Sequence, residues 1–365
     1  MSQLNVDGIR SANGTGDAIS LAAASNTCTA NITNIPGRNL IINGAMQVAQ
    51  RGTVTGITGQ VYGGPDRFET HINGLGTWTT SQATSTADHN TTGFYHSLKL
   101  QNTTADASPA AGDYAIIQQH IEGGNIDQVR WGTANSEKLT LSFWCKANIS
   151  GWSSGTKAFV AELQESSGSL ESGQLVTLNA NDTWQKITLT YPVQTGTAPQ
   201  TGTNAAITVN LWLDAGTDFS SGTLSSSWSN KANADRAAGV TLGLGNNTAN
   251  YFQLTGVQLE VGDYTTDFEH KKYTTEWKDC CRYYYKPAAR SDGNAYLYGC
   301  SYHNSWGFII IDFPNQMRAI PTLTVADEST TSGYNYATYT TKERLQLYMD
   351  DIDPWVEGAT IDAEL

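Results

Sequence analysis

The chain has 365 residues, enough for two domains or for one large β domain with appendages. Only 15% of the residues are charged, against about 25% in an ordinary soluble domain, and the abundance of Gly, Ser, Thr and Asn favours an all-β fold. The formal net charge of -13 repels phosphate backbones, which argues against nucleic acid as a partner.

Residues 1–38 contain no aromatic side chain and no sustained hydrophobic period. Leu4, Val6 and Ile9 lie in a stretch that alternates apolar and polar residues as a short strand does, and turn chemistry follows in "SANGTG". Such a segment cannot bury enough surface to fold alone. We therefore interpret it as an extended anchoring arm that packs on a neighbouring subunit or on another protein.

Residues 39–273 carry a succession of short apolar or alternating segments, among them "SLKLQ", "KLTLSFWCKA", "AAITVNLWLD" and "FQLTGVQLEVG". In "SLKLQ", the alternation places Leu98 and Leu100 on one face of a strand. Polar loops rich in Gly, Ser and Thr separate these segments. Many strands with such connections predict a jelly-roll β-sandwich over this region.

Residues 274–287 show the one convincing helical pattern. The helix would be short and would link two β modules, with an apolar face formed by Trp277, Cys280, Cys281 and Tyr284. Pro287 is expected to end it. Residues 288–365 return to short strands such as "GFIIIDFP" and "ERLQLYM", which predicts a small C-terminal β domain.

The sequence offers little that could carry catalysis or hold a metal ion. No two histidines have the spacing of a zinc site on a helix, and neither a nucleophile elbow nor a phosphate loop occurs. Two carboxylate pairs, Asp66 with Glu69 and Asp113 with Glu122, are close enough in sequence to consider for glycoside hydrolysis, but nothing else singles them out. We therefore expect a protein that is not an enzyme.

The absence of a recognisable signal peptide and the cysteine pattern predict that the protein folds in a reducing compartment. The start of the sequence lacks the charged and apolar regions of a signal peptide, and no stretch approaches the roughly 20 apolar residues of a membrane span. No C-x-x-C occurs, so the cysteines are expected to be reduced, buried thiols rather than zinc ligands: Cys28, Cys145, Cys280, Cys281 and Cys300.

Tryptophan is the strongest signal for a binding surface. Trp144, Trp184 and Trp212 lie in strand patterns and are expected in the core. Five others lie in or near polar, Gly/Ser/Thr-rich stretches, where a ring costs apolar exposure unless it folds back on its own sheet or meets a partner. The candidate ligand or partner contacts are Trp78, Trp131, Trp152, Trp228 and Trp306.

Several motifs resemble a module found in many tailed-phage tail-fibre and receptor-binding proteins, often of marine phages. They are Asn43-Gly44, the "DRF" at Asp66–Phe68, Gln258-Leu259-Glu260 with Gly262, Phe268-Glu269, Cys281-Arg282-Tyr283-Tyr284, "FPNQMRAIPTLTV" and the "DAEL" ending at Leu365. A lysine, Lys271 or Lys272, stands where that group usually has arginine. The resemblance implies a virion protein that is assembled in the host cytoplasm and docks through Leu4, Val6 and Ile9.

Residues 39–273 are also similar to the jelly rolls of carbohydrate-binding modules. That resemblance implies a structural calcium ion between the first and last strands. Here Met46 and Gln47 occupy the region of the first-strand acid, and Thr255-Gly256 stand where paired acids would be. Because calcium prefers several charged oxygens, we do not favour calcium, and no cofactor is expected.

Two functions follow from the resemblance. In the first, the chain is a fibre or spike subunit that contacts other virion proteins through its arm and binds a host surface polysaccharide or protein. Such a subunit is expected to be a homotrimer. In the second, it is a capsid or tail-base decoration or connector protein that never touches the host. A polysaccharide depolymerase is the third and least favoured alternative, because no catalytic set is recognisable.

Overall fold

The computed structural model describes residues 8–9, 19–22, 27–30, 36–167, 169–287, 296–303, 306–328, 334–335, 340–351 and 353–365. Over these residues the protein consists of antiparallel β-sheets with few and short helices, so the all-β prediction is confirmed. None of the helices within the described residues is long and apolar enough to cross a membrane.

The N-terminal segment contributes a three-stranded antiparallel sheet of β1 (Gly8–Ile9), β2 (Ile19–Ala22) and β3 (Thr27–Ala30). Of the residues proposed for docking, Ile9 lies in β1, whereas Leu4 and Val6 fall outside the described residues. The docking role of this segment stays a prediction.

A β-sandwich of two antiparallel sheets follows. Its strands are β4 (Val54–Ile57), β5 (Gln60–Tyr62), β6 (Glu69–Asn73), β7 (Thr77–Thr84), β8 (His96–Thr104), β9 (Tyr114–Glu122), β10 (Leu139–Asn148), β11 (Lys157–Glu165), β12 (Leu170–Leu178), β13 (Gln185–Tyr191), β14 (Ala205–Ala215), β15 (Ser229–Asn230) and β16 (Tyr251–Val261). The six-stranded sheet has the order β13-β10-β16-β8-β7-β4, and the seven-stranded sheet has the order β15-β12-β11-β14-β9-β6-β5.

The core of the sandwich lies between the two sheets and follows from the two-residue alternation of the strands. Leu98 and Leu100 on β8 are completely buried there, which confirms their predicted common face. On β10, Leu141, Phe143 and Cys145 point into the same core. The residues between them, including Trp144, must therefore face outward.

In the part of the chain that the structure describes, three short α-helices connect strands: α1 (Thr86–Thr92), α2 (Thr217–Ser220) and α3 (Tyr273–Cys281). Helix α3 is the predicted linker helix, and its Cys280 and Cys281 are buried as expected. The predicted end at Pro287 is wrong, because the helix stops at Cys281. Tyr284 instead pairs in a sheet with Asp362, so long-range strand pairing overrides the local helical period there.

The C-terminal module contains β17 (Tyr284–Tyr285), β18 (Tyr296–Tyr298), β19 (Cys300–His303), β20 (Trp306–Asp312), β21 (Thr322–Thr324), β22 (Asp327–Glu328), β23 (Tyr334–Asn335), β24 (Arg344–Met349), β25 (Trp355–Glu357) and β26 (Thr360–Asp362). They form three small sheets, β17-β26-β21, β18-β25-β22 and β19-β20-β24-β23. Ile309, Met317, Leu345, Leu347 and Ile361 belong to one core that these sheets share. The module is thus a second β unit with its own apolar interior.

Candidate functional site

Three of the motifs that carry the phage resemblance meet at one point between the sandwich and the C-terminal module. Arg67 of the "DRF" motif is 1% exposed, and its guanidinium bonds to the carboxylate of Glu364. Its Nη2 also donates to the carbonyl of His120 at 2.7 Å, and the group stacks 3.5 Å from the ring centre of Tyr283. Although burial opposes it, the charge of Glu364 raises the pKa of Arg67, so the guanidinium stays charged.

A second arginine strengthens this contact. Arg51 lies 3.1 Å from Glu364 and 2.9 Å from Asp362, and its guanidinium stacks 3.6 Å from the ring centre of Tyr284. We call the group formed by Arg51, Arg67, Tyr283, Tyr284, Asp362 and Glu364 the ionic joint. It fixes the C-terminal module on the sandwich.

The Cys281-Arg282-Tyr283-Tyr284 motif also binds the sandwich directly. Arg282 donates from Nε and Nη2 to the two oxygens of Glu122, each at 2.8 Å, and the Tyr283 hydroxyl donates to the same carboxylate. Glu122 is 2% exposed, so this two-pronged pair is largely shielded from water. The motif therefore serves structure, and it joins the two β units.

The Asn43-Gly44 motif has an equally structural role. The Asn43 amide donates to the carbonyls of Val48 and Asp66 at 2.8 and 2.9 Å and accepts the Val48 N–H at 3.0 Å. A Cβ on Gly44 would lie 2.1 Å from the carbonyl oxygen of Val257 on β16, so only glycine fits. The motif locks the first segment of the sandwich against its last strand.

The resemblance implies calcium between the first and last strands of the sandwich. In this protein the side-chain amide of Asn39 bridges that position. Asn39 donates to the Val257 carbonyl at 3.1 Å and accepts the N–H groups of Ile41 and Leu259 at 3.0 and 3.1 Å. Within the described ranges, no group of three or more His, Cys, Asp or Glu side chains could hold a metal ion. The carboxylate that contacts Asn39 here is that of Glu269, which accepts its N–H at 2.8 Å. Calcium prefers several charged oxygens, so the expectation against calcium stays a prediction.

Most of the candidate tryptophans are enclosed by the protein itself. Trp78, Trp131 and Trp152 are 0%, 4% and 8% exposed, and all three belong to the sandwich core. The indole N–H groups of Trp78 and Trp152 donate to the carbonyls of Leu75 and Gly155 at 2.9 and 3.2 Å. The expectation that these three rings offer a contact surface is wrong, because an enclosed ring has no free face.

Two candidate tryptophans remain. Trp228 is half-buried, lies 4.7 Å from Trp131 between ring centres, and donates to the Pro192 carbonyl at 2.7 Å. Trp306 begins β20, and its side chain lies outside the described residues. Contact with a partner stays a prediction for these two.

The carboxylate pairs are not arranged for glycoside hydrolysis. Asp113 immediately precedes the extended strand β9, and Glu122 is its last residue. At about 3.3 Å per residue over nine positions, the two carboxylates lie far beyond the roughly 5–10 Å that the chemistry needs. Asp66 and Glu69 are both 2% exposed and are occupied by Gln50 and Gln118, respectively. Glu122 is itself enclosed by Arg282 and Tyr283, which donate to its carboxylate.

A pocket of about 300 Å³ opens on the outer face of the six-stranded sheet, and we call it the aromatic pocket. Trp144 and Ser142 of β10 and Lys186 of β13 form its floor. Its walls come from the end of α1 and from the segment after β16. The lining residues are Thr92, Phe94, Ser142, Trp144, Lys186, Gly256, Thr266, Asp267, Phe268 and His270.

Aromatic rings dominate one wall of the aromatic pocket. Phe94 lies 4.8 Å from Phe268 and 5.3 Å from His270 between ring centres, and Phe268 lies 4.9 Å from His270. Around these rings stand hydroxyl groups, the ammonium of Lys186 and the carboxylate of Asp267. An aromatic surface bordered by both donors and acceptors suits a ligand with an apolar face and a rim of hydroxyl groups.

Trp144 was expected in the core and is instead half-buried in this floor. The sequence did hold the signal. In "KLTLSFWCKA", Leu139, Leu141, Phe143 and Cys145 share one face, so the alternation assigns Trp144 to the opposite face. Its apolar neighbours along the chain obscured that assignment.

A larger groove of about 730 Å³ lies between the sandwich and α3. Its lining mixes polar residues with the apolar Leu40 and Ile42 and includes no aromatic ring. Four of its five charged side chains pair with each other, Arg282 with Glu122 at 2.8 Å and Lys271 with Asp279 at 3.1 Å, and Asp127 is the fifth. Because it has no ring on which a sugar could stack, the groove suits a sugar less well than the aromatic pocket does.

Two buried carboxylates lie on the outer face of the seven-stranded sheet, beneath residues 216–240. Glu162 is fully buried and accepts bonds from Asn210, Trp212 and Arg236 at 2.7–3.1 Å. Glu171 is 4% exposed and accepts the Ala232 N–H at 3.1 Å, with its other oxygen 3.4 Å from Arg236. Arg236 thus fastens the covering segment to the sheet, and no ligand can reach the two acids.

The Glu171 carboxyl predicts a pH-dependent stability. Burial and the nearby charge of Glu162 raise its pKa from 4.5 to about 7. The folded state therefore favours the protonated form, and this contribution to stability is lost as the pH rises from 4.5 through 7. We expect Glu171→Gln, which mimics the protonated acid, to raise the midpoint of thermal unfolding at pH 8 by about 2–4 °C and to change it little at pH 4.5.

The measurement is thermal unfolding of both proteins between pH 4.5 and 8. Glu137→Gln is the matched control, because the Glu137 side chain is 44% exposed and pairs with Arg130 at 3.7 Å on the surface. An equal pH dependence in wild type and Glu171→Gln would contradict the prediction.

Comparison with known proteins yields structural neighbours only. No protein-family model matches the sequence, and no curated protein matches it. Among solved structures, a family 4 carbohydrate-binding module is 13% identical, with coverage of 60% of this chain and 97% of that one and a TM-score of 0.28.

Two further neighbours have similar values. A C-terminal family 22 carbohydrate-binding module of Clostridium thermocellum Xyn10B is 12% identical over 62% of this chain and 97% of its own, with a TM-score of 0.29. The K1 cleaved adhesin domain of Lys-gingipain from Porphyromonas gingivalis W83 is 12% identical over 58% and 99%, with a TM-score of 0.26. The sandwich described above rests on its own strands and their pairing.

Proposed function

We propose that this chain is a fibre-type or spike-type subunit of a tailed-phage virion that holds a host surface glycan in the aromatic pocket without cleaving it. The observation that carries the glycan part is the half-buried ring of Trp144 on the pocket floor, opposite a wall of Phe94, Phe268 and His270. The virion part is supported by the motif resemblance.

The chemistry of the pocket suits a sugar. A pyranose ring has an apolar face of C–H groups that packs on an aromatic ring, and its hydroxyl groups need both donors and acceptors. Lys186 supplies donors, Asp267 supplies acceptors, and the Ser142 hydroxyl can do both. The Thr92 and Thr266 hydroxyls are already bonded to the Asp88 carbonyl and to Glu260. The described part of the pocket contains no metal-binding cluster.

A single shallow site of this kind binds a glycan weakly, but several identical sites that bind the same surface together raise the overall affinity. We propose a homotrimer, in which three sites act together and the edge of the six-stranded sheet at β4 is protected by a neighbouring subunit, while the β13 edge stays open to the ligand. The arm at residues 1–38 would dock the trimer on other virion proteins, and the C-terminal module would project with the sandwich.

Deletion of residues 1–38 is expected to abolish incorporation into particles while leaving the rest of the chain folded. The sandwich core begins after this segment, with Leu40 as its first member, so the thermal midpoint should fall only slightly, through loss of the bonds from Gly37 to Glu269 and from Arg38 to the Asp267 carbonyl. Immunoblots of purified particles from complemented infections measure incorporation. Normal incorporation of the truncated protein would disprove the docking role.

Competition for adsorption tests host recognition. Purified protein added to host cells should block adsorption of the phage, and Trp144→Ala should block it less. No competition at saturating protein would reject host contact and leave a capsid or tail-base decoration role. Release of reducing sugars from host polysaccharide would instead reveal a depolymerase.

A further inference from the structure

The loop between β7 and β8 builds a wall across the outer face of the six-stranded sheet. Thr84 pairs with His96, so residues 85–95 are an excursion that closes a hairpin. The excursion holds α1, with the Ser85 hydroxyl accepting the Asp88 N–H at 3.1 Å and Gly93 ending the helix in the left-handed region at φ 86°. This structured wall stands beside the aromatic pocket.

The wall is fixed to the sheet at two points. Phe94 is 6% exposed and lies so close to Gly256 of β16 that a Cβ there would be 2.5 Å from its ring. On the other side, Lys146 of β10 reaches Asp88 of α1 at 3.4 Å, and both side chains are mostly buried. The wall is therefore part of the folded sandwich rather than a loose loop.

The wall also meets the opposite flank of the pocket. Phe94 packs against Phe268 and His270, so the two flanking segments touch above β16. Ser97, Gln253 and Thr255 face outward next to this contact, yet they are only 4%, 6% and 1% exposed. The route across the sheet, from β10 over β16 to β8, is thus covered, whereas Lys186 and Thr188 on the edge strand β13 are exposed.

We infer that the aromatic pocket binds the end of a glycan, one or two terminal sugars that enter over β13, and not an internal stretch of a long chain. This inference rests on the proposed glycan binding and names the part of the glycan that is bound. The cavity of about 300 Å³ lies at the lower limit of ligand pockets, which has room for one or two sugar rings. Further sugars would project past the β13 edge into solvent.

The test is a length series on the intact protein. A glycan array of bacterial surface sugars selects the backbone, and calorimetry then measures the mono- to hexasaccharides of that backbone. The affinity should rise up to the disaccharide and change by less than about threefold beyond it. A continued rise of more than about tenfold between the disaccharide and the hexasaccharide would overturn end binding.

A second measurement needs no variant. The hexasaccharide is coupled to a surface through one end or through the other, and binding of the protein is recorded on both surfaces. End recognition predicts binding on only one of them, since the other hides the bound terminus. Equal binding on both would overturn the inference, while no binding to any glycan on the array would reject the proposed function itself.

A shortened hairpin probes the wall directly. Replacing residues 85–95 by Asn-Gly provides the two-residue turn that the pairing of Thr84 with His96 suits. The replacement also removes Thr92 and Phe94 from the pocket lining, so the readout is the ratio of two affinities and not either affinity alone. With the wall gone, the hexasaccharide should bind at least about tenfold more tightly than the disaccharide. If the variant folds and still shows no length dependence, the wall is not what limits the ligand.

Discussion

Replacing Arg67 by methionine is expected to lower the free energy of unfolding by about 3–5 kcal/mol, because it leaves the buried carboxylate of Glu364 without its closest partner. The change also removes the bond to the His120 carbonyl and the stacking on Tyr283. Both losses fall at the contact between the sandwich and the C-terminal module. We therefore expect the module to detach at lower denaturant concentration than in the wild type.

Arg130→Met is a close control. Arg67 and Arg130 both have left-handed backbones, with φ of 73° and 51°, so the backbone cost of the new side chain is similar. The Arg130 side chain is 58% exposed and reaches Glu137 only at 3.7 Å, so its loss should cost less than about 1 kcal/mol. Denaturant unfolding followed by tryptophan fluorescence compares the two variants.

A double variant tests whether the cost of Arg67→Met comes from the lost interactions of the guanidinium or from the Glu364 carboxylate that it leaves behind. If the cost of Arg67→Met comes mainly from leaving the buried Glu364 carboxylate with Arg51 as its only arginine partner, then Arg67→Met with Glu364→Leu should recover more than half of the lost stability. Limited proteolysis between the two β units supplies a second readout. Equal stabilities for Arg67→Met and Arg130→Met would show that the ionic joint does not hold the module.

The alternation of apolar residues was enough to predict the sandwich, because each strand must place one face on the core. Leu98 and Leu100 followed this rule, and so did Trp144, once its neighbours Phe143 and Cys145 are assigned to the core. The expectation for Trp78, Trp131 and Trp152 rested on the polar composition around them and not on this rule. Trp78 in fact lies in β7, whose alternation buries it. For Trp131 and Trp152, local composition says nothing about whether a ring turns back into the sandwich core, and both rings do.

The ionic joint could not be predicted from one sequence. Arg67 and Glu364 are 297 residues apart, and no local period or spacing connects them. The motifs resembled those of a known module, but that resemblance did not indicate that their charged side chains bind each other. The end of α3 was mispredicted for the same reason, since the partner of Tyr284 is the distant Asp362.

Trp144→Ala is expected to weaken binding of the array-selected disaccharide by about 30-fold or more, which corresponds to the roughly 2 kcal/mol of a central aromatic contact. The indole forms the floor of the aromatic pocket, and alanine would remove the surface on which a sugar ring stacks. Stability should fall only slightly, because the ring is half-buried on the outer face and does not belong to the core. Calorimetry measures the affinity, and thermal unfolding measures the stability.

Trp184→Ala supplies the matched comparison, because Trp184 is also half-buried but lies outside the pocket. The centre of its ring lies 5.1 Å from the ammonium of Lys146, which is not a lining residue of the pocket either. Loss of this ring should leave the disaccharide affinity within about twofold of the wild type. If Trp184→Ala weakens binding as much as Trp144→Ala does, the glycan is held along the sheet edge and the aromatic pocket is not its site.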